Sequence, residues 1–319
     1  MPLRPDIAHL VSAAAGSFPK LGTEVTDAVE ARRMLAEAAS PQQFAPAGKV
    51  EDRTINGPEG GELPVRIYWP TTATTDVSIV VYFHGGGWVL CDLDSHDATA
   101  RQLADRTGSI VVSADYRRAP ESRFPAAAED AYAALQWADE HAAELGAVPA
   151  RLAVAGDSSG GNLATVAALI AVERSGPRVS FQLLAYPVTD HDFTTESYLD
   201  SSADCFLTAE HMRWFWDQYV PDVELRDHPH ASPMRADLSG LPPAHIVVAE
   251  RDPLRTEGQR YADRLRQAGV PASTQHCPGT FHGFFGFAQH VPEFAKARDR
   301  AFAVLAEGLA RTPSAEEVS

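Results

Sequence analysis

The alternation of two kinds of segment constrains the fold of this chain most strongly. Short runs of Val, Ile and Leu are apolar on successive residues, and stretches with helical periodicity lie between them. Continuous apolar runs are typical of strands that are covered on both faces of a sheet. We therefore predict an α/β fold with a mostly parallel central sheet flanked by helices. The runs are "VSIVVYFHG", "SIVVSADYR", "RLAVAGDS", "FQLLAYPV" and "AHIVVAERD".

Three helical stretches between these runs each end near a glycine that can cap the helix. Before the first run, residues 47–70 predict a β-hairpin, because Asn56-Gly57 and Gly60-Gly61 can adopt the positive φ angles of tight turns. Ligands of parallel sheets bind outside the carboxyl ends of the strands, so a functional site is expected at that edge. The helical stretches are "HDATARQLADRTG", "PAAAEDAYAALQWADEHAAELG" and "NLATVAALIAVERSG".

Two regions interrupt the alternation. Residues 1–45 look helical and precede the first strand, and residues 191–232 contain an aromatic-rich helix between two strand runs. We expect these regions to form a helical cap over a catalytic domain made of residues 46–190 and 233–312. The polar tail, residues 313–319, is expected to be disordered.

Charge and cysteine content exclude several classes of function. The 319 residues carry 43 acidic and 27 basic side chains, a net charge of −16 that repels nucleic acid and anionic membranes. Neutral or cationic substrates fit this charge better. Cys91, Cys205 and Cys277 are too few and too scattered for a disulfide framework, so we expect a reduced, cytoplasmic setting. We expect no signal peptide, because the apolar run near the amino terminus is short and interrupted, and no membrane span, because no apolar segment reaches about 18 residues.

The segment "GDSSGG" places Ser158 between glycines. Such a pattern arises by chance among 22 glycines, and it is also similar to the serine motif of chymotrypsin-like proteases. Here, however, a predicted strand leads directly into the serine and a predicted helix follows it, which is the context of a nucleophile elbow. In such an elbow, side chains at Gly156 and Gly160 would collide with the neighbouring strand and helix.

Plausible partners of the serine follow it in the chain, in the order Ser, Asp, His that is found in α/β-hydrolases. Asp252 comes as the run "AHIVVAE" ends, where a carboxylate can orient an imidazole. A helix-capping role before Pro253 is the alternative for Asp252, and the two roles are compatible. His282 follows the last apparent strand, "ASTQHCP", in a glycine-containing loop that can bring its ring over the serine.

A second motif, "HGGGW", ends the first parallel strand. The consecutive residues Gly85, Gly86 and Gly87 leave backbone N–H groups uncovered, as an oxyanion hole requires. A flexible turn is the plain alternative. A phosphate-binding loop is excluded, because the chain has neither the Gly-x-x-x-x-Gly-Lys pattern nor the dinucleotide fingerprint.

Five motifs together resemble the bacterial hormone-sensitive-lipase-like esterases, or family IV, of the α/β-hydrolase superfamily. They are "HGGGW", "DYRRAPESRFPAAAEDA", "GDSSGG", "DPLRTEG" and "HGF", in the order and approximate spacing of that family, and the resemblance covers residues 47–305. The resemblance implies that Ser158 is the nucleophile, Asp252 the acid and His282 the base.

The resemblance also implies an oxyanion hole made of the glycine loop and the amide of Ser159. Among the glycines, Gly86 with either Gly85 or Gly87 is favoured. His84 then resembles a histidine that fixes the loop and takes no part in the chemistry.

Some positions depart from the family pattern. Ser159 stands where Ala is common, Cys91 where Gly is common, and Thr256 where Asp is frequent, and none of these changes removes a catalytic group. Cys91 is expected near the substrate entrance as a bystander. The substrate pocket is expected to include Trp88, Cys91, Phe206, Met212 and Phe215.

These features predict a carboxylesterase that hydrolyses short to medium acyl esters of small molecules through an acyl-enzyme. An amidase or small-molecule deacetylase would use the same residues, and a non-catalytic ligand-binding homologue is the alternative from another class. No cofactor or metal is expected, since the acidic cluster at residues 190–192 is better explained as solvated surface. The oligomeric state stays open, with a homodimer as one alternative because dimers are common among similar proteins.

Overall fold

A computed structural model describes residues 4–38, 48–72, 77–200 and 205–311 of the chain. Its strands, in chain order, are β1 (Val50–Asn56), β2 (Glu62–Tyr68), β3 (Val77–Phe83), β4 (Ile110–Ala114), β5 (Ala147–Asp157), β6 (Phe181–Ala185), β7 (Ala244–Arg251) and β8 (Ala272–Phe281). In the described ranges they form one eight-stranded sheet in the order β1-β2-β4-β3-β5-β6-β7-β8. Neighbours from β4 to β8 are parallel, whereas β2 is antiparallel to β1 and β4. The predicted sheet is confirmed.

The strands that the apolar runs predicted are buried on both faces. Every residue of β4 and of β6 is buried. One hydrophobic cluster fills each face of the sheet, because alternate side chains of a strand point in opposite directions. Continuous apolar sequence is therefore the direct signature of a sheet with helices on both sides.

The predicted hairpin forms between β1 and β2, but its turn differs from the expectation. Positive φ angles occur at Glu59 (56°) and Gly60 (76°), not at Gly57 or Gly61. A short 3₁₀ turn, Pro58–Gly60, occupies the tip, and the Gly57 amide donates to the Gly61 carbonyl oxygen at 2.7 Å to close it. Gly60 is therefore left-handed, as the sequence allowed, whereas the other left-handed residue is Glu59, which no turn signal indicated.

The helices pack on both sides of the sheet. In chain order they are α1 (Pro5–Ser17), α2 (Ala28–Ala38), α3 (Asp97–Thr107), α4 (Ala126–Glu140), α5 (Ala142–Leu145), α6 (Ser159–Glu173), α7 (Glu196–Leu199), α8 (Ala209–Tyr219), α9 (Arg255–Gln267) and α10 (Pro292–Ala310). Side chains of α4, α6 and α9 contribute to one buried cluster, and those of α3 and α10 contribute to the other.

Two of the three predicted glycine caps are confirmed. Gly108 and Gly146 follow α3 and α5 with φ angles of 63° and 88°. After α6, however, the left-handed residue is Ser175, with φ 51°. Gly176 meets a different requirement, since a Cβ atom there would lie 2.4 Å from the hydroxyl oxygen of Tyr132.

The two regions that interrupt the alternation contact each other. The ring of Phe18, just after α1, lies 5.1 Å from the ring of Phe206, between α7 and α8. The indole N–H of Trp214 donates to the carbonyl oxygen of Thr26 at 3.1 Å. The tail predicted to be disordered, residues 313–319, lies outside the described residues. Within the described ranges, no helix combines the length and the apolar character that crossing a membrane requires.

Candidate active site

Ser158 lies in the tight turn between β5 and α6. Its backbone adopts φ 56° and ψ −121°, a conformation that L residues rarely adopt. A Cβ atom at Gly160 would lie 1.9 Å from the Phe83 carbonyl oxygen, and one at Gly156 would lie 2.2 Å from the Gly160 carbonyl oxygen. The chain therefore needs glycine on both sides of the serine to make this turn, which presents the hydroxyl at the carboxyl end of β5.

Asp252 and His282 reach the same edge of the sheet because they follow β7 and β8. Nε2 of His282 lies 2.9 Å from Oγ of Ser158, and Nδ1 of His282 lies 2.8 Å from Oδ2 of Asp252. The three residues are nearly buried, with exposed fractions of 7%, 4% and 6% for Ser158, Asp252 and His282. Because Nδ1 faces a carboxylate, it carries the ring proton of the neutral imidazole and leaves Nε2 free to accept one.

Further contacts orient the imidazole. Oδ1 of Asp252 accepts a hydrogen bond from the Leu254 amide at 2.9 Å, so the carboxylate is held at the start of the segment that leads into α9. Leu254 is the N-cap of α9 and no side chain caps this helix, so Asp252 holds the turn before the helix and does not cap it. The ring of Tyr186 meets the ring of His282 edge to face, with centroids 4.9 Å apart.

The glycine loop after β3 lies beside the serine, but its three amides differ. The Gly85 amide donates to Oδ1 of Asp157 at 3.1 Å, so this N–H is not available to a substrate. Gly86 and Gly87 line the cavity at Ser158, with φ angles of 116° and 61°. Among the described residues, the amides of Gly86, Gly87 and Ser159 have no hydrogen-bond acceptor.

His84 is buried behind the glycine loop and stacks on the ring of Tyr116, with centroids 4.4 Å apart. Its Nδ1 lies 2.8 Å from the Gly85 carbonyl oxygen and donates to it. Burial, with a smaller effect of nearby His96, lowers the pKa of His84 to about 3. This histidine is therefore neutral at physiological pH and contacts the loop from behind.

A cavity of about 660 Å³ opens over Ser158 and His282. Of the residues expected in the pocket, Cys91, Phe206 and Phe215 line it. Trp88 and Met212 lie elsewhere. The Trp88 ring stacks on Tyr219 of α8 at 4.4 Å, and Met212 is 1% exposed within the main core.

Known proteins similar to this chain identify its family and its fold. The family described as having the alpha/beta hydrolase fold matches residues 80–286 of this chain. The chain belongs to this family. The fold expected from the sequence and the resemblance inferred from its motifs are both confirmed.

Similar alpha/beta hydrolases are named as esterases. Carboxylesterase NlhH of Mycobacterium tuberculosis is 42% identical over 310 residues, which cover 96% of this chain and 97% of that protein. Ethyl acetate hydrolase of Pseudomonas putida is 36% identical, over 92% of this chain and 95% of its own. The crystal structure of a thermostable esterase from Pseudomonas putida ECU1011 superimposes with a TM-score of 0.89 at 37% identity, covering 96% of this chain and 98% of that one.

A polar network that the sequence motifs did not predict lies beside the serine of this alpha/beta hydrolase. Asp157, directly before Ser158, accepts a hydrogen bond from the Tyr82 hydroxyl at 2.6 Å, and its Oδ2 lies 3.5 Å from Nε2 of His96. Burial opposes ionisation of Asp157, but the charge and hydrogen bonds of His96 and Tyr82 hold its pKa below the usual range. The acidic residue inside "GDSSGG" was a visible signal, whereas no sequence pattern pointed to His96.

Proposed function

We propose that this alpha/beta hydrolase hydrolyses short to medium acyl esters through Ser158, His282 and Asp252. One observation carries the proposal: Ser158, His282 and Asp252 form a continuous chain of hydrogen bonds. The distance is 2.9 Å from Ser158 Oγ to the His282 ring and 2.8 Å from that ring to the Asp252 carboxylate, and Ser158 and His282 line a cavity. Nucleophilic catalysis by a hydroxyl requires this arrangement of base and orienting acid.

The class of enzyme rests on the family. The chain is a serine ester hydrolase of the alpha/beta hydrolase family, in which similar proteins of nearly the same length are named carboxylesterase and esterase. The hydrogen-bonded serine, histidine and aspartate also argue against a non-catalytic binding homologue.

In the proposed first step, His282 Nε2 takes the Ser158 proton while Oγ attacks the carbonyl carbon of the ester. The two electrons of the C=O π bond move onto oxygen and form a tetrahedral oxyanion. Asp252 stabilises the imidazolium that forms. The carbon–oxygen bond to the alcohol then breaks, the alcohol oxygen takes the proton from Nε2, and an acyl-enzyme remains.

In the second step, water replaces the alcohol. His282 takes a proton from the water, whose oxygen attacks the acyl carbon, and the Ser158 oxygen leaves with the proton returned. The carboxylic acid is released. In both steps we assign the oxyanion to the amides of Gly86, Gly87 and Ser159, since the Gly85 amide already donates to Asp157. The thiol of Cys91 has no part in either step, because burial raises its pKa to about 12.

We further propose that residues 1–45 and 191–232 act as a cap that bounds the acyl group. The remaining residues, 46–190 and 233–312, are then the catalytic domain. Apolar side chains of the cap line the cavity: Phe18, Leu35, Phe206, Leu207 and Phe215. Such a wall removes acyl methylenes from water, and each buried methylene contributes about 0.8 kcal/mol until the space is full.

The test compares Ser158→Ala with Ser159→Ala in hydrolysis of 4-nitrophenyl butyrate. Ser158→Ala removes the nucleophile, so kcat is expected to fall by roughly 10⁴-fold or more. Ser159→Ala keeps the backbone amide and is expected to retain substantial activity. Unchanged turnover by folded Ser158→Ala would exclude this serine as the nucleophile.

The matched substrate butyryl 4-nitroanilide separates an esterase from an amidase. The same residues can attack either carbonyl, but an amide is the weaker electrophile and has the poorer leaving group. We expect kcat/KM for the ester to exceed that for the anilide. A higher value for the anilide would change the assignment to an amidase.

A further inference from the structure

We infer that His96 is a positioning residue of the proposed reaction, which offsets the negative charge of Asp157 next to the oxyanion. The inference rests on the proposed function, since it concerns the oxyanion assigned to Gly86, Gly87 and Ser159. It assigns a task to a histidine that lines the cavity but is absent from the hydrogen-bonded chain of Ser158, His282 and Asp252.

Asp157 holds the glycine loop in place, but its negative charge is unfavourable next to the oxyanion. Its Oδ1 holds the glycine loop through the Gly85 amide at 3.1 Å and is itself held by the Tyr82 hydroxyl at 2.6 Å. The carboxylate is 8% exposed and directly precedes the nucleophile. A buried negative charge at this place repels the negative charge that develops on the substrate oxygen, because little water is present to screen it.

His96 lies opposite this carboxylate. Its Nε2 is 3.5 Å from Oδ2 of Asp157, and its Nδ1 is 3.1 Å from the hydroxyl oxygen of Ser95. That hydroxyl donates its hydrogen to the Asp92 carbonyl oxygen at 2.8 Å, so it serves His96 as an acceptor. Both ring nitrogens of His96 therefore face hydrogen-bond acceptors, and Asp157 is the acceptor that faces Nε2.

The other groups around His96 bring no positive charge to Asp157. The His84 ring, 5.5 Å away, is neutral because burial lowers its pKa to about 3. The Tyr82 hydroxyl is neutral because burial raises its pKa far above the usual value. Arg118 lines the same cavity but donates to the Cys91 carbonyl oxygen, and in the described part of the chain Asp157 pairs with His96 and with no Lys or Arg.

Two carboxylates complete the surroundings of His96. Asp92, on the same loop, accepts a hydrogen bond from the Ser95 amide at 2.9 Å. Burial opposes ionisation of Asp92, but the hydrogen bonds from Ser95 lower the pKa of this carboxyl group. Asp97, the next residue, binds the Tyr68 hydroxyl and Arg101 on the far side. Neither carboxylate pairs with His96 in the described ranges, so Asp157 is the carboxylate that the ring faces.

The test is a double-mutant cycle with His96→Gln and Asp157→Asn. Glutamine keeps a hydrogen-bond donor but removes the imidazole that pairs with Asp157, so kcat for 4-nitrophenyl butyrate is expected to fall by about tenfold, with KM within about twofold of wild type. Asparagine keeps an oxygen for the Gly85 amide and removes the negative charge. In that background, His96→Gln is expected to lower kcat by less than about twofold.

Inhibition by a trifluoromethyl ketone supplies a second measurement, because Ser158 adds to its carbonyl and leaves an oxyanion in the site. Its Ki is expected to rise in His96→Gln by the same factor by which kcat/KM falls. The matched control is His230→Gln. It removes a histidine that lies outside the cavity and pairs with Glu173 at 2.8 Å, so Ki and kcat/KM are expected to stay unchanged.

A loss of the same size in both backgrounds, or an unchanged kcat in His96→Gln, would overturn the role of His96. Thermal unfolding identifies a variant that does not fold, and His96→Asn then replaces His96→Gln in the same cycle. A wild-type protein that hydrolyses no ester would instead refute the proposed function, so the two failures are distinguishable.

Discussion

At the scale of single residues, Asp252 divides its carboxylate between two partners. One oxygen accepts from the Leu254 amide and the other from the His282 ring. Asp252→Asn preserves the first contact but presents an amide to Nδ1, which selects the wrong tautomer and cannot stabilise the imidazolium. We expect kcat to fall by roughly 10³- to 10⁴-fold with the fold intact, measured with 4-nitrophenyl butyrate.

The control for this variant is Asp263→Asn, which removes an exposed carboxylate paired with Arg266 on α9 and is expected to keep kcat. Full turnover by folded Asp252→Asn at neutral pH would mean that another acid orients His282.

Glu257 is another buried carboxyl group, and we expect it to affect stability and not turnover. It is 1% exposed, and its Oε1 accepts a hydrogen bond from the Thr189 amide at 2.7 Å. Burial raises its pKa well above the usual value, so the fold favours the protonated form. The stabilising contribution of this group is therefore complete below the unfolded-state pKa of about 4.3 and is lost as pH rises toward the folded-state pKa.

Glu257→Gln keeps the acceptor oxygen and cannot ionise. Relative to this variant, the wild type is expected to lose up to about 1.4 kcal/mol of unfolding free energy per pH unit above that value. Urea unfolding of both proteins from pH 5 to pH 8 measures the difference. Parallel pH dependences would show that Glu257 is ionised in the folded protein.

The residues near the serine show what the sequence can and cannot predict at this scale. Ser158, Asp252 and His282 were predictable candidates because each follows an apolar run that ends at the same edge of the sheet. His96 was not, since its approach to Asp157 joins residues 61 positions apart and depends on where α3 begins. The pocket residues were only partly predictable, because an aromatic or Met side chain in a cap suits the core as well as a cavity.

At the scale of elements, the junction of β5 and α6 sets the tightest steric requirement. A Cβ atom at Gly160 would lie 1.9 Å from the Phe83 carbonyl oxygen. With any residue larger than glycine at this position, β3 and α6 could not both keep their places. Gly160→Ala is expected to lower the unfolding free energy by more than about 2 kcal/mol, measured by urea unfolding.

Gly16 is the matched control for this substitution. It lies in α1, and a Cβ atom there would meet nothing within 4 Å. Gly16→Ala is therefore expected to stabilise the protein by about 0.5–1 kcal/mol, since alanine loses less backbone entropy in a helix. Equal effects of the two substitutions would contradict the steric explanation for Gly160.

The sequence predicted the elements better than their ends. The parallel strands were predictable because a strand that is buried on both faces is apolar on successive residues. This pattern differs from the alternation of apolar and polar residues in a half-exposed strand. Glycine positions predicted the hairpin turn only in part and did not predict the end of α6, because Glu59 is left-handed beside Gly60 and Ser175 is left-handed in place of Gly176. At Gly176 the close approach of Tyr132 requires the glycine, and that contact depends on how α4 packs beside α6.

At the scale of the whole molecule, the cavity predicts a bounded preference for acyl length. For 4-nitrophenyl esters from acetate to palmitate, kcat/KM is expected to rise while methylenes are buried and to fall once the 660 Å³ cavity is full. The reaction should also proceed on dissolved monomers. A monotonic rise to palmitate, or activation when an emulsion forms, would favour a lipase.

The same series tests the cap. Phe18→Ala removes a ring from the cavity wall and is expected to move the optimum toward longer acyl chains. Val29→Ala, at a 62% exposed position on α2, is the control and is expected to leave the optimum unchanged. An identical optimum in both variants would exclude Phe18 from the acyl-binding wall.

The hydrogen bond between His282 and Ser158 joins residues 124 positions apart, and β6 and β7 lie between the strands that carry them. Such a long-range contact forms late, because the intervening chain must first be ordered. We therefore expect a refolding chain to recover helical circular dichroism before it recovers turnover. The recovery of enzymatic rate would then report the last stage of folding. The serine can act as a nucleophile only when the four neighbouring strands β5, β6, β7 and β8 are paired in register.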